Sequence, residues 1–348
     1  MMPHLMLGDR RISALNPTYV IAEIGVNHNG SAQLAHDMID AAAQAGADAV
    51  KFQTFRTEDL ILTGTPKADY QQDTTGDGGQ ESMLKALELP IEVFADLKEH
   101  CREAGVDFMS TAFDHRSLDA VGKLDPICLK WPSGELNNTP LLRQAAGMGF
   151  PILLSTGMGS ITEISAAIDT LTAGGCEDIV ILQCVSNYPA RIEDQNLRAM
   201  QNMAQVFGRP VGFSDHTIGP YAAIAARALG MAILEKHFTM DCKMDGPDHS
   251  ASIEPREFAD MVTLLRQIEA GLGNGVKRPL SAEDNIKKVA RKSLVYSADF
   301  AAGHLLAPRD LIAKRPGSGI APNHVDSFLG LPLKTSVKAN DLVKRNDV

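Results

Sequence analysis

Ile233-Leu234-Glu235-Lys236-His237 is a short apolar run that ends in charge and imidazole, and seven more runs of that kind precede it along the chain. They are Tyr19–Ile24, Ala49–Thr54, Phe108–Thr111, Cys128–Lys130, Ile152–Ser155, Ile179–Gln183 and Val211–Ser214. Their C-terminal ends carry Glu23, Lys51 with Gln53, Thr111, Lys130, Ser155, Gln183, and Ser214 with His216, before the final Glu235 and His237. Apolar strands alternating with amphipathic helical stretches are the pattern of a closed (β/α)8 barrel. In such a barrel the C-terminal strand ends meet at one mouth, so these distant residues become neighbours around a pocket.

The connecting segments fit that frame. Ser31 is placed to cap a helix over Leu34–Ala45, stopped by Gly46. Further helical stretches are Ile91–Ala104, Thr139–Met148, Ile161–Thr172, Leu197–Phe207, Tyr221–Leu229 and Pro255–Leu272. The second connection, Arg56–Gly79, is long and rich in Thr, Asp, Gly and Gln, which marks a functional loop over the mouth or a mobile segment. The pattern divides the chain into a catalytic barrel (1–273), a polar linker (274–290) and a small, mostly β domain (291–348). The last has short strands at Ser293–Tyr296, Leu311–Ala313 and Leu342–Val343.

Composition narrows the function classes. The chain has 348 residues, room for a barrel of about 250 plus an appendage. Lys and Arg number 33 against 43 Asp and Glu, a net charge of -10, so a nucleic-acid partner bound through bulk charge is excluded. A small anionic substrate is not, because a few converging lysines reverse the potential locally. The five cysteines are odd in number and form no Cys-x-x-Cys pair, the usage of reduced thiols in a cytoplasmic protein. No signal peptide and no membrane span is legible.

Several residues at the mouth can carry chemistry. His216 and His237 end consecutive strands, and two neutral imidazoles aimed into one pocket suit a divalent ion. The alternative is that each is a hydrogen-bonded structural histidine; Asp248 and His249 in the following loop strengthen the metal reading. Lys51 and Lys130 lie at strand ends in apolar surroundings and need an anionic partner. That partner is either a protein carboxylate, Glu23 or Glu135, or a substrate phosphate or carboxylate. Ser133, Ser155, Thr111 and Ser214 nearby favour a phosphate cradle. A Schiff-base lysine is the other chemical option, and it requires a lowered pKa. Glu23, Glu135 and Asp248 are the candidate proton handlers. Phosphate-loop, dinucleotide and nucleophile-elbow motifs are absent.

These segments together resemble the sialic acid synthase family. The resemblance rests on Ile21-Ala22-Glu23-Ile24-Gly25-Val26-Asn27-His28-Asn29-Gly30, Val50-Lys51-Phe52-Gln53-Thr54, Pro132-Ser133-Gly134-Glu135, Phe213-Ser214-Asp215-His216-Thr217, Glu235-Lys236-His237-Phe238-Thr239 and Gly246-Pro247-Asp248-His249-Ser250. Arg291-Lys292-Ser293-Leu294 and Arg315-Pro316-Gly317-Ser318-Gly319-Ile320 are similar to the family's antifreeze-like SAF domain. The resemblance implies a transferase that condenses phosphoenolpyruvate with an open-chain N-acetylhexosamine to a nine-carbon 2-keto sugar acid. It implies manganese or magnesium on His216 and His237, and phosphoenolpyruvate on Lys51, Thr111, Lys130, Ser133, Ser155, Ser186 and Ser214. It gives Glu23, Gln53, Tyr188 and Asp248 to the sugar, and Glu135 to a position near the metal. Arg315 is implied to reach into a second subunit, in a domain-swapped homodimer. Trp131 stands where the family commonly has a smaller residue, with the expectation of a reshaped pocket floor. Ser186 stands two residues before Tyr188, where some members have Asn.

Overall fold

The structure, a computed structural model, describes residues 3–348. Eight parallel strands, β3 (Tyr19–Gly25), β4 (Ala49–Thr54), β5 (Asp107–Ala112), β6 (Leu129–Trp131), β7 (Ile152–Ser155), β8 (Ile179–Cys184), β9 (Val211–Asp215) and β10 (Ile233–His237), form a closed barrel in which β10 pairs with β3. An antiparallel hairpin of β1 (Leu5–Leu7) and β2 (Arg10–Ile12) precedes them. The expected (β/α)8 fold is present, and every anticipated run overlaps a barrel strand, with Cys128 just before β6.

Period-two alternation sorts each strand into two environments. Outward side chains such as Val20, Ala22, Val50, Phe52, Trp131, Leu154, Ile181, Phe213 and Leu234 pack into one large core with the surrounding helices. Inward side chains near the strand starts, Tyr19, Ile21, Ala49, Met109, Leu153, Val180 and Ile233, form a second core. Leu5, Leu7 and Ile12 of the hairpin are buried in that second core, so the hairpin plugs the lower end of the barrel. Strands this short give little sequence signal; their order comes from the burial of those three side chains.

The helices anticipated from periodicity are present, and others join them. Ser31 Oγ accepts the Leu34 N–H at 3.2 Å and caps the first, Ala32–Gln44. A further helix, His115–Lys123, follows β5, with Asp114 Oδ1 accepting the Ser117 N–H at 2.8 Å. Its buried stripe is only Ser117, Leu118 and Val121, too sparse to read as periodic. The long segment after β4 is not structureless: it holds helices Thr57–Leu60 and Asp69–Thr75, followed by Gln80–Leu87.

Chain contacts divide the molecule into residues 1–273 and 274–348. Within the second unit a short helix, Asp284–Ala290, follows a turn at Ser281–Glu283. Strands β11 (Ser293–Tyr296) and β12 (Leu311–Lys314) pair antiparallel, over a core of Leu294, Tyr296, Leu306, Leu311, Phe328, Leu333, Val337 and Val343. The third strand expected at Leu342–Val343 is reduced to a single bridge between Leu342 and Val295, because the neighbouring chain turns rather than runs extended. All five cysteines are free. Among the described residues no helix is long and apolar enough to cross a membrane.

Candidate active site

Two residues above the apolar layer, the same inward faces change character. Parallel register sets Glu23 of β3 beside Lys51 of β4, Thr111 of β5 beside Lys130 of β6, and Ser214 of β9 beside Glu235 of β10. The result is a buried ring of charge. Lys51 Nζ lies 2.8 Å from Glu23 Oε1 and 3.8 Å from Glu235 Oε2, and donates to Thr111 Oγ1 at 2.9 Å. Lys130 Nζ lies 3.2 Å from Glu235 Oε1, which also accepts from Ser214 Oγ at 2.8 Å. Gln53 Nε2 donates to Glu23 Oε1 at 3.2 Å. Glu235 Oε2, Glu23 Oε2 and Ser155 Oγ are buried with no hydrogen-bond partner.

The two carboxyls titrate apart. Burial raises Glu23, and although Lys51 pulls it back, the nearby charge of Glu235 leaves it at about 7. Burial also opposes the charge of Glu235, but Lys130 and Lys51 together overcome it and bring that carboxyl down to about 2. Position between two ammoniums decides the difference. Burial alone would lower Lys51; Glu23 and Glu235 outweigh it, and the ammonium ends up raised.

His216 and His237 stand at one edge of the ring, with ring centroids 5.3 Å apart. His216 Nδ1 faces the Val185 carbonyl oxygen at 2.6 Å, so it carries the proton in the neutral ring and Nε2 keeps the lone pair. His237 Nδ1 is buried without a hydrogen-bond partner, and Asp248 Oδ2 lies 3.9 Å from it. Burial, and then His216, hold His237 well below the usual imidazole range, which favours the neutral ligand form. Burial raises the Asp248 carboxyl to about 6. Among the described residues no group of three or more His, Cys, Asp or Glu is arranged to hold a metal ion. The two imidazoles are the side chains here that could offer nitrogen ligands to a divalent cation.

The cavity above the ring measures about 490 Å³. Glu23, Lys51, Gln53, Thr111, Lys130, Ser133, Ser155, Ser186, Tyr188, Ser214, His216, His237 and Asp248 all line it. Tyr188 packs on His216 at 4.2 Å between centroids, and Tyr70 from the long segment packs on Tyr188 at 5.3 Å. Gly157 N donates to Ser133 Oγ at 2.9 Å, and a side chain at Gly157 would collide with the Ser133 and Ser186 hydroxyls. Glycine there keeps this hydroxyl wall intact.

Residues 38–277 match the NeuB family and residues 291–348 match the SAF domain. The chain belongs to the NeuB family. It is 41% identical over 345 residues to the N,N'-diacetyllegionaminic acid synthase of Legionella pneumophila, across 96% of this chain and 97% of that one. It is 30% identical over 345 residues to the N-acetylneuraminate-9-phosphate synthase of Mus musculus, across 97% and 95%. Among solved structures, the N-acetylneuraminic acid (sialic acid) synthetase of Leptospira borgpetersenii is similar with a TM-score of 0.75 at 33% identity, covering 82% of this chain and 95% of that one. The resemblance read from the motifs is borne out.

Other anticipated residues of this NeuB chain sit elsewhere. Glu135 does not line the cavity: it lies in a turn after Pro132, and its Oε2 accepts from Asn138 Nδ2 at 2.6 Å. The salt-bridge partners of the lysines are Glu23 and Glu235, and Glu135 is not among them. Trp131 does not shape the floor, because alternation turns it outward while Lys130 points in, and its Nε1 donates to Glu135 O at 2.8 Å. His249 is turned from the imidazole pair, its Nδ1 taking the Thr239 hydroxyl at 2.6 Å and its Nε2 donating to Asn29 Oδ1 at 3.2 Å. Arg315 belongs to the second unit, where its Nε donates to Ala290 O at 3.1 Å. Glu235, the hub of the ring, has no role among the residues singled out from sequence. A signal for it exists: it stands two residues before His237 on one strand and so shares its face.

Proposed function

We propose that this chain condenses phosphoenolpyruvate with the open-chain form of an N-acetylated hexosamine, giving a nine-carbon 2-keto sugar acid and inorganic phosphate. The observation that carries the reading is the pair of buried ammoniums, Lys51 and Lys130, meeting at Glu235 on the cavity floor. Two fixed cations in a desolvated pocket suit a small substrate with both a carboxylate and a phosphate. Ser155, with its unpartnered hydroxyl, and Ser133, Ser186, Ser214 and Thr111 supply further donors to that substrate. The names of the relatives, synthases of legionaminic acid and of N-acetylneuraminate 9-phosphate, support the same chemistry.

His216 and His237 would hold manganese or magnesium, which as a Lewis acid supplies polarisation of the sugar's aldehyde. The chain's own groups do the rest. Lys51 and Lys130 hold phosphoenolpyruvate so that its C3 faces the aldehyde carbon, and oppose its charge while the carbon–carbon bond forms. Water then adds at C2, and cleavage of the bond from C2 to the phosphate oxygen releases phosphate and leaves the keto group. The new hydroxyl gains a proton and the water gives up its protons. Glu23, half protonated near pH 7 and unpartnered at Oε2, is the group suited to carry one. Gln53, Tyr188 and Asp248 orient the sugar. A Schiff-base route finds no support in the ring, where Lys51 is raised rather than lowered and both lysines are ion-paired.

In this reading Arg315 completes the site of a second copy of the chain, in a domain-swapped homodimer in the cytoplasm. Mixing an Arg315→Ala variant with a His237→Ala variant under subunit exchange then restores activity that neither has alone; a dead mixture with exchange confirmed removes the role across the interface. The condensation itself is tested with a panel of N-acetylated aldoses, phosphoenolpyruvate and manganese, following phosphate. Sugar-dependent phosphate release is expected, and its absence with every aldose refutes the proposal.

A further inference from the structure

Outward positions on the barrel strands carry apolar side chains such as Ile24, Phe52, Trp131, Leu154 and Phe213, which pack against the helices. At the top of β9 and β10 that layer turns to charge. Asp215 and Lys236 share the outward face of Phe213 and Leu234, are each 1% exposed, and stand directly opposite one another in the register. Lys236 Nζ donates to Asp215 Oδ2 at 2.9 Å. A buried ion pair often adds less stability than an apolar pair of the same size, so packing alone does not explain it.

Its position does. Asp215 lies between Ser214 and His216, and Lys236 between Glu235 and His237, and these four neighbours all line the cavity. The ladder joining β9 to β10 reaches only as far as Asp215 and Lys236, so His216 lies beyond it. The charged pair carries the tether one step further. Thr217 N and Thr217 Oγ1 donate to Asp215 Oδ1 at 2.8 and 2.7 Å, and Thr217 O accepts from Lys236 Nζ. His216 is thereby clamped from its far side to the strand that carries His237. His237 Nδ1 has no hydrogen-bond partner, so the aim of that ring follows from its backbone and its packing on Tyr188.

We propose that Asp215 and Lys236 are positioning residues: from outside the barrel they fix the spacing and aim of the His216 and His237 imidazoles, and so the affinity of the site for a divalent cation. This rests on the metal reading above. Ligand nitrogens must meet a cation to within about 0.2 Å, and here they come from the ends of two strands. Residues that orient ligands without touching the metal typically change its affinity by about 10- to 100-fold.

The test reads binding and not turnover. Full-length protein is stripped with chelator and titrated with manganese, free metal being followed by electron paramagnetic resonance. The proteins are wild type, Asp215→Asn with Lys236→Met, Asp215→Asn alone, Leu7→Ala and His237→Ala. The double substitution removes both charges and leaves neither one unpaired, so its thermal melt should stay cooperative. Its manganese affinity is expected to fall about 10- to 100-fold. Leu7→Ala, which loosens the lower core instead, should bind as wild type does. If the double variant does not fold, Asp215→Asn alone carries the test, with a loss in the same direction. Wild-type affinity in the folded clamp variant overturns the inference, as does an equal loss in Leu7→Ala, which would trace the effect to lowered stability. Binding absent from wild type, or unchanged in His237→Ala, fells the metal reading and the inference with it, a result distinct from unchanged affinity in the clamp variants.

Discussion

The lower and upper halves of the barrel interior are built from the same strands and do opposite work. On β3, Tyr19 and Ile21 join the apolar plug, and Glu23 on the same face joins the ring. On β10 the same step runs from Ile233 to Glu235 and His237. The lower half is an ordinary core, closed by the hairpin and stabilised by area removed from water. The upper half buries two lysines and two glutamates, which oppose burial and are held in place by each other. Stability and chemistry are thus separated along the strand by a few ångströms, and substitutions in the two halves should fail in different ways.

The largest difference is expected for His237→Ala and His216→Ala. Each removes an imidazole from the upper half without opening the lower core, so activity falls on the order of 10³-fold or more while the thermal melt stays cooperative. Stripping wild type with a chelator and restoring manganese should reproduce the loss and its reversal. Full activity in the metal-free protein would show that the two rings are structural.

Leu7→Ala is the converse. Leu7 is fully buried in the plug, and its truncation should cost about 2–5 kcal/mol of stability, read by denaturant titration. Turnover per folded molecule should stay within about twofold, since no lower-half side chain lines the cavity. A large loss of turnover at full folding would mean the two halves are coupled.

The smallest effect separates the halves by pH. The Glu23 carboxyl is raised to about 7 in the fold from an ordinary value of 4.5, so the folded state holds its proton more tightly than the unfolded chain does. Its contribution to stability is fully present below that ordinary value and is lost as pH rises toward and through 7. Glu23→Gln should therefore flatten the fall of melting temperature between about pH 5 and 7.5, whereas Leu7→Ala should shift the melt equally at each pH. Parallel profiles for wild type and Glu23→Gln would deny the raised carboxyl.

Much of this architecture is legible in the amino-acid sequence. The eight runs place the strands because their residues are buried on both faces, and their polar ends name most of the cavity lining. Glu235 is among those polar ends but carries no role in the reading of the sequence, although a barrel interior uses every second residue and so sets it beside Lys51 and Lys130. The same alternation sends Trp131 outward from Lys130. Glu135 is not legible in this way, since Pro132 ends the alternation and the turn Ser133–Glu135 sets its own directions. The hairpin of β1 and β2 has three residues per strand, and only contact with the barrel interior gives it order. Helix Gln80–Leu87, just past the segment whose composition reads as loop, is not legible either, because Met83 and Leu87 gain their buried partners from Val26 and Phe55 far away in sequence.

The claim that the ring is a substrate site and more than a set of internal salt bridges is tested most directly by titrating phosphoenolpyruvate calorimetrically into wild type and into Lys130→Met. Methionine keeps the length of the side chain, and Glu235 retains Lys51 3.8 Å away, so the variant should fold. The predicted result is saturable binding to wild type and affinity at least about 100-fold weaker in the variant, the loss of one charge-assisted contact in a buried site. Equal affinity in the two proteins would contradict the account and leave the lysines as partners of Glu23 and Glu235 alone.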